Sequence, residues 1–201
     1  MTPAAGENGP QRAGSGPTLP AADAPAVFRA PMRSRRPDVP RGAGTELALG
    51  TRVCGMGGAI DPPPRSLEEA LDGVADAHGE RAAARLERFA VVPEGSFAWT
   101  RDADGLYWLG RVRGPWRYDS GAAARDADLV HVRACDWLPE PVAEAEVPAA
   151  VRQAFARGGL NFQRVRHPSA APGTASLGEI SRATAPDRRG GRPGHHGPRA
   201  P

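Results

Sequence analysis

The chain has 201 residues, including 25 Gly and 22 Pro, and all 26 of its basic residues are arginine. That length allows one domain or a small pair, and the Gly and Pro gather toward the two ends. Residues 46–163 carry thirteen arginines against eighteen carboxylates, whereas residues 1–45 carry six against three and residues 164–201 seven against two, which excludes a uniformly basic folded domain and leaves the positive charge on the flanks.

Residues 1–45 show no periodic apolar positions and read as a disordered tail rich in Pro, Gly and Arg. In ELALGTRVCGMGG (46–58), Leu47, Leu49, Val53, Cys54 and Met56 suit one or two short strands ending in a glycine turn. DPPPR then breaks the chain. SLEEALDGVADAHGERAAARLERFAVV predicts two helices. Ser66 followed three residues later by Glu69 is a capping box, in which the hydroxyl takes an orphan backbone N–H and the carboxylate reaches back. Leu67, Ala70, Leu71 and Val74 form the apolar stripe of the first helix, which stops at Gly79; Ala82, Leu86 and Phe89 form that of the second, ended by Pro93 and Gly95.

Alternating segments follow. SFAWT (96–100) puts Phe97 and Trp99 on one face, and Asp104-Gly105 is a strong hairpin signal. In LYWLGRVR (106–113), Leu106, Trp108, Gly110 and Val112 share the face assigned to the core, with Tyr107, Leu109, Arg111 and Arg113 opposite. Gly114-Pro115 bends the chain before a further strand, WRYD. LVHVRACDWL (129–138) returns as a strand, with His131, Arg133 and Cys135 on one side. A short helix around 147–157 is stopped by Gly158-Gly159, and LNFQRV (160–165) is a last strand. Residues 168–201 read as a disordered basic tail. The ordered part is thus a single α+β domain over 46–167, with two helices before the main meander and one short helix after it.

Catalytic apparatus is absent from this reading. His131 and Cys135 alone do not make a tetrahedral metal site, which needs three or four ligands. Ser96 and Ser120 have no nucleophile-elbow context. CGMGGA lacks the spacing of a phosphate loop and its lysine. No cofactor is implied. No apolar run reaches the length of about 20 residues needed to span a membrane, and two thiols behind an N-terminus without a secretion pattern point to a reduced, cytoplasmic setting.

RLERFAVVPEGSFAWTRDADGLYWLGRVRGPWRYD, HVRACDWL and VRQAFARGGLNFQRV together resemble a domain found at the N-terminus of Mrr-type restriction-system endonucleases and as stand-alone actinobacterial proteins. The element order is also similar to the EVE branch of the PUA-like superfamily, whose members bind RNA or modified DNA bases. The resemblance implies a small curled sheet or PUA-like β-barrel, and a recognition part without a nuclease. The expected function is non-catalytic nucleic-acid recognition of DNA or RNA, including modified or flipped bases. The alternative is a protein-interaction module working with a separately encoded partner. On the binding reading, the arginines supply forked contacts to phosphate or a purine edge, and the tyrosines supply stacking surface at a wet rim. The candidate residues are Tyr107, Arg111, Arg113, Arg117, Tyr118, His131 and Arg133. The four tryptophans are assigned mainly to the core.

Overall fold

The computed structural model describes residues 25–159 and 162–184. In chain order the elements are β1 (Val27–Arg29), α1 (Ala43–Thr51), β2 (Val53–Met56), α2 (Leu67–His78), α3 (Glu80–Ala90), β3 (Phe97–Arg101), β4 (Tyr107–Tyr118), α4 (Ala122–Asp126), β5 (His131–Trp137), α5 (Ala149–Ala156), β6 (Gln163–Arg164) and α6 (Ala170–Thr184). The fold is α+β around one mixed six-stranded sheet, in the order β2-β5-β4-β3-β1-β6. β1 runs parallel to β3; every other neighbouring pair is antiparallel. The sheet is open, so the expected barrel closure does not form.

The helix pair follows its sequence signals. Ser66 Oγ accepts from the Glu69 amide at 3.1 Å, and the Glu69 carboxylate accepts from the Arg65 amide at 2.7 Å, one residue ahead of the usual reciprocal bond. The β3–β4 hairpin turns at Asp102–Gly105, where Gly105 has φ 87° and donates to the Asp102 carbonyl.

Alternation along β3 and β4 feeds two cores. Ala98 and Val112 face α2 and α3, packing with Ala70, Val74, Leu86, Phe89 and Cys135. Phe97, Trp99, Tyr107 and Leu109 face α5 and α6, packing with Val151 and Ala170. Trp99 is fully buried and its indole N–H donates to Thr174 Oγ1 on α6 at 3.1 Å. Helices on both faces explain why the expected division of β4 into a core face and a free face fails. Leu106, assigned to the core, lies at the hairpin turn and is 48% exposed. Trp108 is half-buried and donates to Asp102 at 2.8 Å.

The expected domain limits need correction at both ends. Residues 27–29, assigned to the tail, form a strand inside the sheet, buried between β3 and β6. Residues 43–51, read partly as strand, are a helix packed against β2 and α4. Residues 170–184 are a helix that covers part of the second core rather than tail. The remaining tail assignments, 1–24 and 185–201, lie outside the described residues.

The 30–45 segment is tied down by close backbone approach. A Cβ at Gly44 would collide with the Met32 carbonyl oxygen. Gly44→Ala is therefore expected to destabilise the domain by about 1–3 kcal/mol, the usual cost of overpacking. A urea midpoint unchanged from wild type would show that this segment is not integral to the fold.

Candidate functional site

The seven expected binding residues do not converge. Tyr107 is buried beneath α5, edge-on to Phe155 at 5.6 Å, with the Arg101 guanidinium 4.8 Å from its ring centre. It does not lie at a wet rim, because α5 packs over its ring. Arg133 is buried on the opposite face. Its guanidinium donates to the Gly114 carbonyl from Nε at 2.9 Å and from Nη2 at 2.6 Å, and to the Val92 and Ala90 carbonyls. It is a structural cross-tie with no face left for a ligand. His131 is likewise buried, its ring between Trp116 and Tyr118.

The other four are partly accessible but engaged. Arg111 donates to the Gly95 carbonyl at 3.1 Å and lies over the Phe97 ring. Arg113 pairs with Asp136 at 2.7 Å and Arg117 with Asp119 at 3.0 Å. Tyr118 Oη bonds to both the amide and the carbonyl of Ile60 at 3.2 Å. Arg111 and Arg113 share the Phe97 face of the sheet, while Arg133 reaches the α3 side, so no single surface presents the set.

His131 is strongly perturbed by its surroundings. Its Nε2 lies 2.9 Å from the Gly58 carbonyl, which can only accept, so Nε2 carries the proton and Nδ1 is left as a bare acceptor. Nδ1 is buried with no hydrogen-bond partner among the described residues. Burial holds its pKa down at about 4, against a weaker upward pull from the Gly58 bond and Asp128. A folded pKa below the unfolded one means that the unfolded chain binds the extra proton first. Stability contributed by neutral His131 is complete above about pH 6.5 and drains away as pH falls toward about 4. The expected loss across that window is roughly 3 kcal/mol. His131→Gln should flatten that acid limb in urea titrations; an unchanged slope would remove His131 as its source.

A different surface gathers cationic chemistry. A groove of about 880 Å³ opens between α3, α5 and the β6 edge. Arg85 and Arg88 reach it from α3, Arg157 from the end of α5, Arg164 from β6 and Arg166 from the segment behind it. Gln153, Gln163 and His167 add polar groups, and Phe28 and Phe162, stacked with ring centres 4.8 Å apart, contribute apolar wall. No carboxylate lines the groove among the described residues, and none of its five arginines forms an ion pair there. Burial, then the neighbouring charges of Arg35 and Arg88, lower the Arg85 pKa. Burial is the larger cause and the two neighbouring positive charges add to it, so an anion in the groove would offset part of that cost.

The sequence held a signal for these residues. Arg85 and Arg88 are three apart on a helix, and Arg164 and Arg166 alternate along an extended segment. The signal was incomplete because nothing local says that these elements meet.

No family model matches the chain, and neither a curated protein nor a solved structure is significantly similar to it. Among the described residues, no helix is long and apolar enough to cross a membrane.

Proposed function

We propose that the chain is a nucleic-acid-binding module, a recognition element rather than an enzyme, that grips a phosphate backbone in the arginine groove between α3, α5 and β6. The observation that carries the reading is the meeting of five arginines from three parts of the chain, with no carboxylate among the described walls to neutralise them. Guanidinium groups fork onto phosphate oxygens, and each phosphate neutralised releases counterions, so affinity comes with a salt signature. Phe162, half-buried and backed by the buried Phe28 ring, places aromatic surface in the same groove, which suits an unpaired strand better than a closed duplex.

The test is fluorescence anisotropy with labelled single- and double-stranded DNA and RNA across a salt series. If four phosphates are engaged on a single strand, affinity should fall roughly fiftyfold between about 50 and 200 mM salt. Oligonucleotides with and without modified bases, run in the same series, measure base discrimination separately from backbone grip. No retention of any oligonucleotide at low salt sinks the proposal. Capture of an acidic protein in its place would reassign the groove to a protein partner.

A further inference from the structure

The arginine groove takes α3 residues from one face of the sheet, α5 residues from the other, and the six consecutive residues 162–167. Side chains alternate between faces along an extended segment, so a groove that meets all six wraps around the strand between the two faces. What lies there is the free edge of β6, the last strand in the sheet order.

The register decides which backbone groups that edge presents. The Val165 amide donates to the Val27 carbonyl at 2.8 Å, whereas the Ala26 carbonyl and the Ala30 amide bond to β3, at Phe97 and Trp99. Phe28 stands opposite Arg164, one step from the Val27–Val165 bond. In an antiparallel pair, residues that exchange bonds alternate with residues whose N–H and C=O both point away from the partner strand. Arg164 is of the second kind: its amide and carbonyl are directed side by side away from β1. Neither has a hydrogen-bond partner among the described residues, and Arg164 is exposed.

β6 is only two residues long, so a peptide strand added to it would find one outward pair where strands usually form over several residues. A single nucleobase needs no more. The Watson–Crick edge of each base carries a donor beside an acceptor, and in an unpaired strand that edge is free to meet a backbone carbonyl and amide. Two residues before Arg164, the half-buried Phe162 puts aromatic surface in the same groove. Two residues after it, Arg166 brings a guanidinium for phosphate.

We propose, resting on the backbone grip inferred for the groove, that the outward amide and carbonyl of Arg164 read the Watson–Crick edge of one unpaired base while the arginines hold the flanking phosphates. The contact is to main chain, so it senses that a base is unpaired rather than which base it is. Adenine and cytosine offer acceptor and donor in one order, guanine and thymine or uracil in the other.

The test is fluorescence anisotropy on the full chain with labelled oligothymidylate and the same strand methylated at every N3. Methylation deletes the donor and blocks the edge, but leaves charge, sugar and stacking surface in place. The methylated strand should bind about fivefold to tenfold more weakly, as expected for losing one or two hydrogen bonds, with the slope of log affinity against log salt unchanged. Arg164→Pro, which removes the amide, is compared with Arg164→Ala, which keeps it; both lack the guanidinium. Proline is tolerated on an edge strand where the N–H faces outward, since no ladder bond is lost. The proline variant should bind oligothymidylate several-fold more weakly than the alanine variant. The methylation comparison is made on the unaltered chain and stands whether or not the proline variant folds. Equal affinity for the plain and methylated strands would overturn the proposal and leave the phosphate grip standing, and so would equal affinity of the two folded variants. Binding of neither strand would remove the groove reading and this one together. Displacement of the oligonucleotide by an extended acidic peptide, with methylation having no effect, would assign the edge to strand addition instead.

Discussion

Replacing Arg133 with methionine is expected to lower the stability of the domain by about 3–5 kcal/mol, the cost of removing one side of a buried, charged hydrogen-bond set. The side chain joins the carbonyls of Ala90 and Val92, where α3 ends, to that of Gly114 on β4. Gly114 lies where the β4–β5 register shifts, between Arg113 and Arg117, and its φ is 54°. Helix end and strand irregularity both leave carbonyls without regular partners, and one guanidinium answers both. Methionine fills much of the volume but donates nothing, leaving these oxygens buried and unmet. Lysine is not expected to rescue, because a single ammonium cannot reproduce the planar fork. Urea denaturation measures the effect. A loss below about 1 kcal/mol, coupled to weaker oligonucleotide binding, would return Arg133 to the role its sequence position suggested.

The second large effect lies in the groove. The triple variant Arg88→Ala, Arg157→Ala and Arg164→Ala should lose about a hundredfold in affinity for single-stranded nucleic acid at about 100 mM salt. The slope of log affinity against log salt should fall by roughly 0.7 for each arginine that meets a phosphate. All three side chains are exposed, so melting should shift little. Arg113→Ala is the control, matched to Arg157→Ala alone: each removes one positive charge, but Arg113 lies in an exposed pair with Asp136, away from the groove, and its loss should leave binding intact. Equal losses in Arg113→Ala and Arg157→Ala would mean that net charge, not the groove, sets affinity.

The parts of the fold that were readable are those with local causes. Ser66 and Glu69 mark the start of α2, Gly79 its end, and Asp104-Gly105 the β3–β4 turn, each through bonds made within a few residues. β1 was not readable because VFR is only three residues long, sits among Pro and Arg, and owes its strand conformation to partners far along the chain. α6 was hidden for a related reason: APGTASLGEISRAT holds two glycines and a proline, and its helix is supported by packing rather than propensity. The alternation of β4 was legible, but which face would be covered was not, since α5 and α6 bury the side that sequence left open. At the site, Arg111 and Arg113 attracted notice because they crowd one strand, where neighbouring acids satisfy Arg113. The groove arginines were dispersed over some eighty positions and acquire meaning only from the packing of α3 against the α5–β6 corner.

The position of β1 bears on the order of assembly. Val27 pairs with Phe97, and Phe28 with Arg164, so the strand nearest the N-terminus waits for the β3–β4 hairpin before it has an edge to join, and for β6 before its own edge is covered. Closing those long loops carries an entropic cost that helix formation in α2 and α3 does not. The hairpin and helix pair are expected to organise early from nearby contacts, and β1 to dock late, adding the edge for β6 and Phe28 to the groove. A chain caught before that step would have its helices and hairpin but no groove, so the proposed oligonucleotide binding is expected to be gained late in folding.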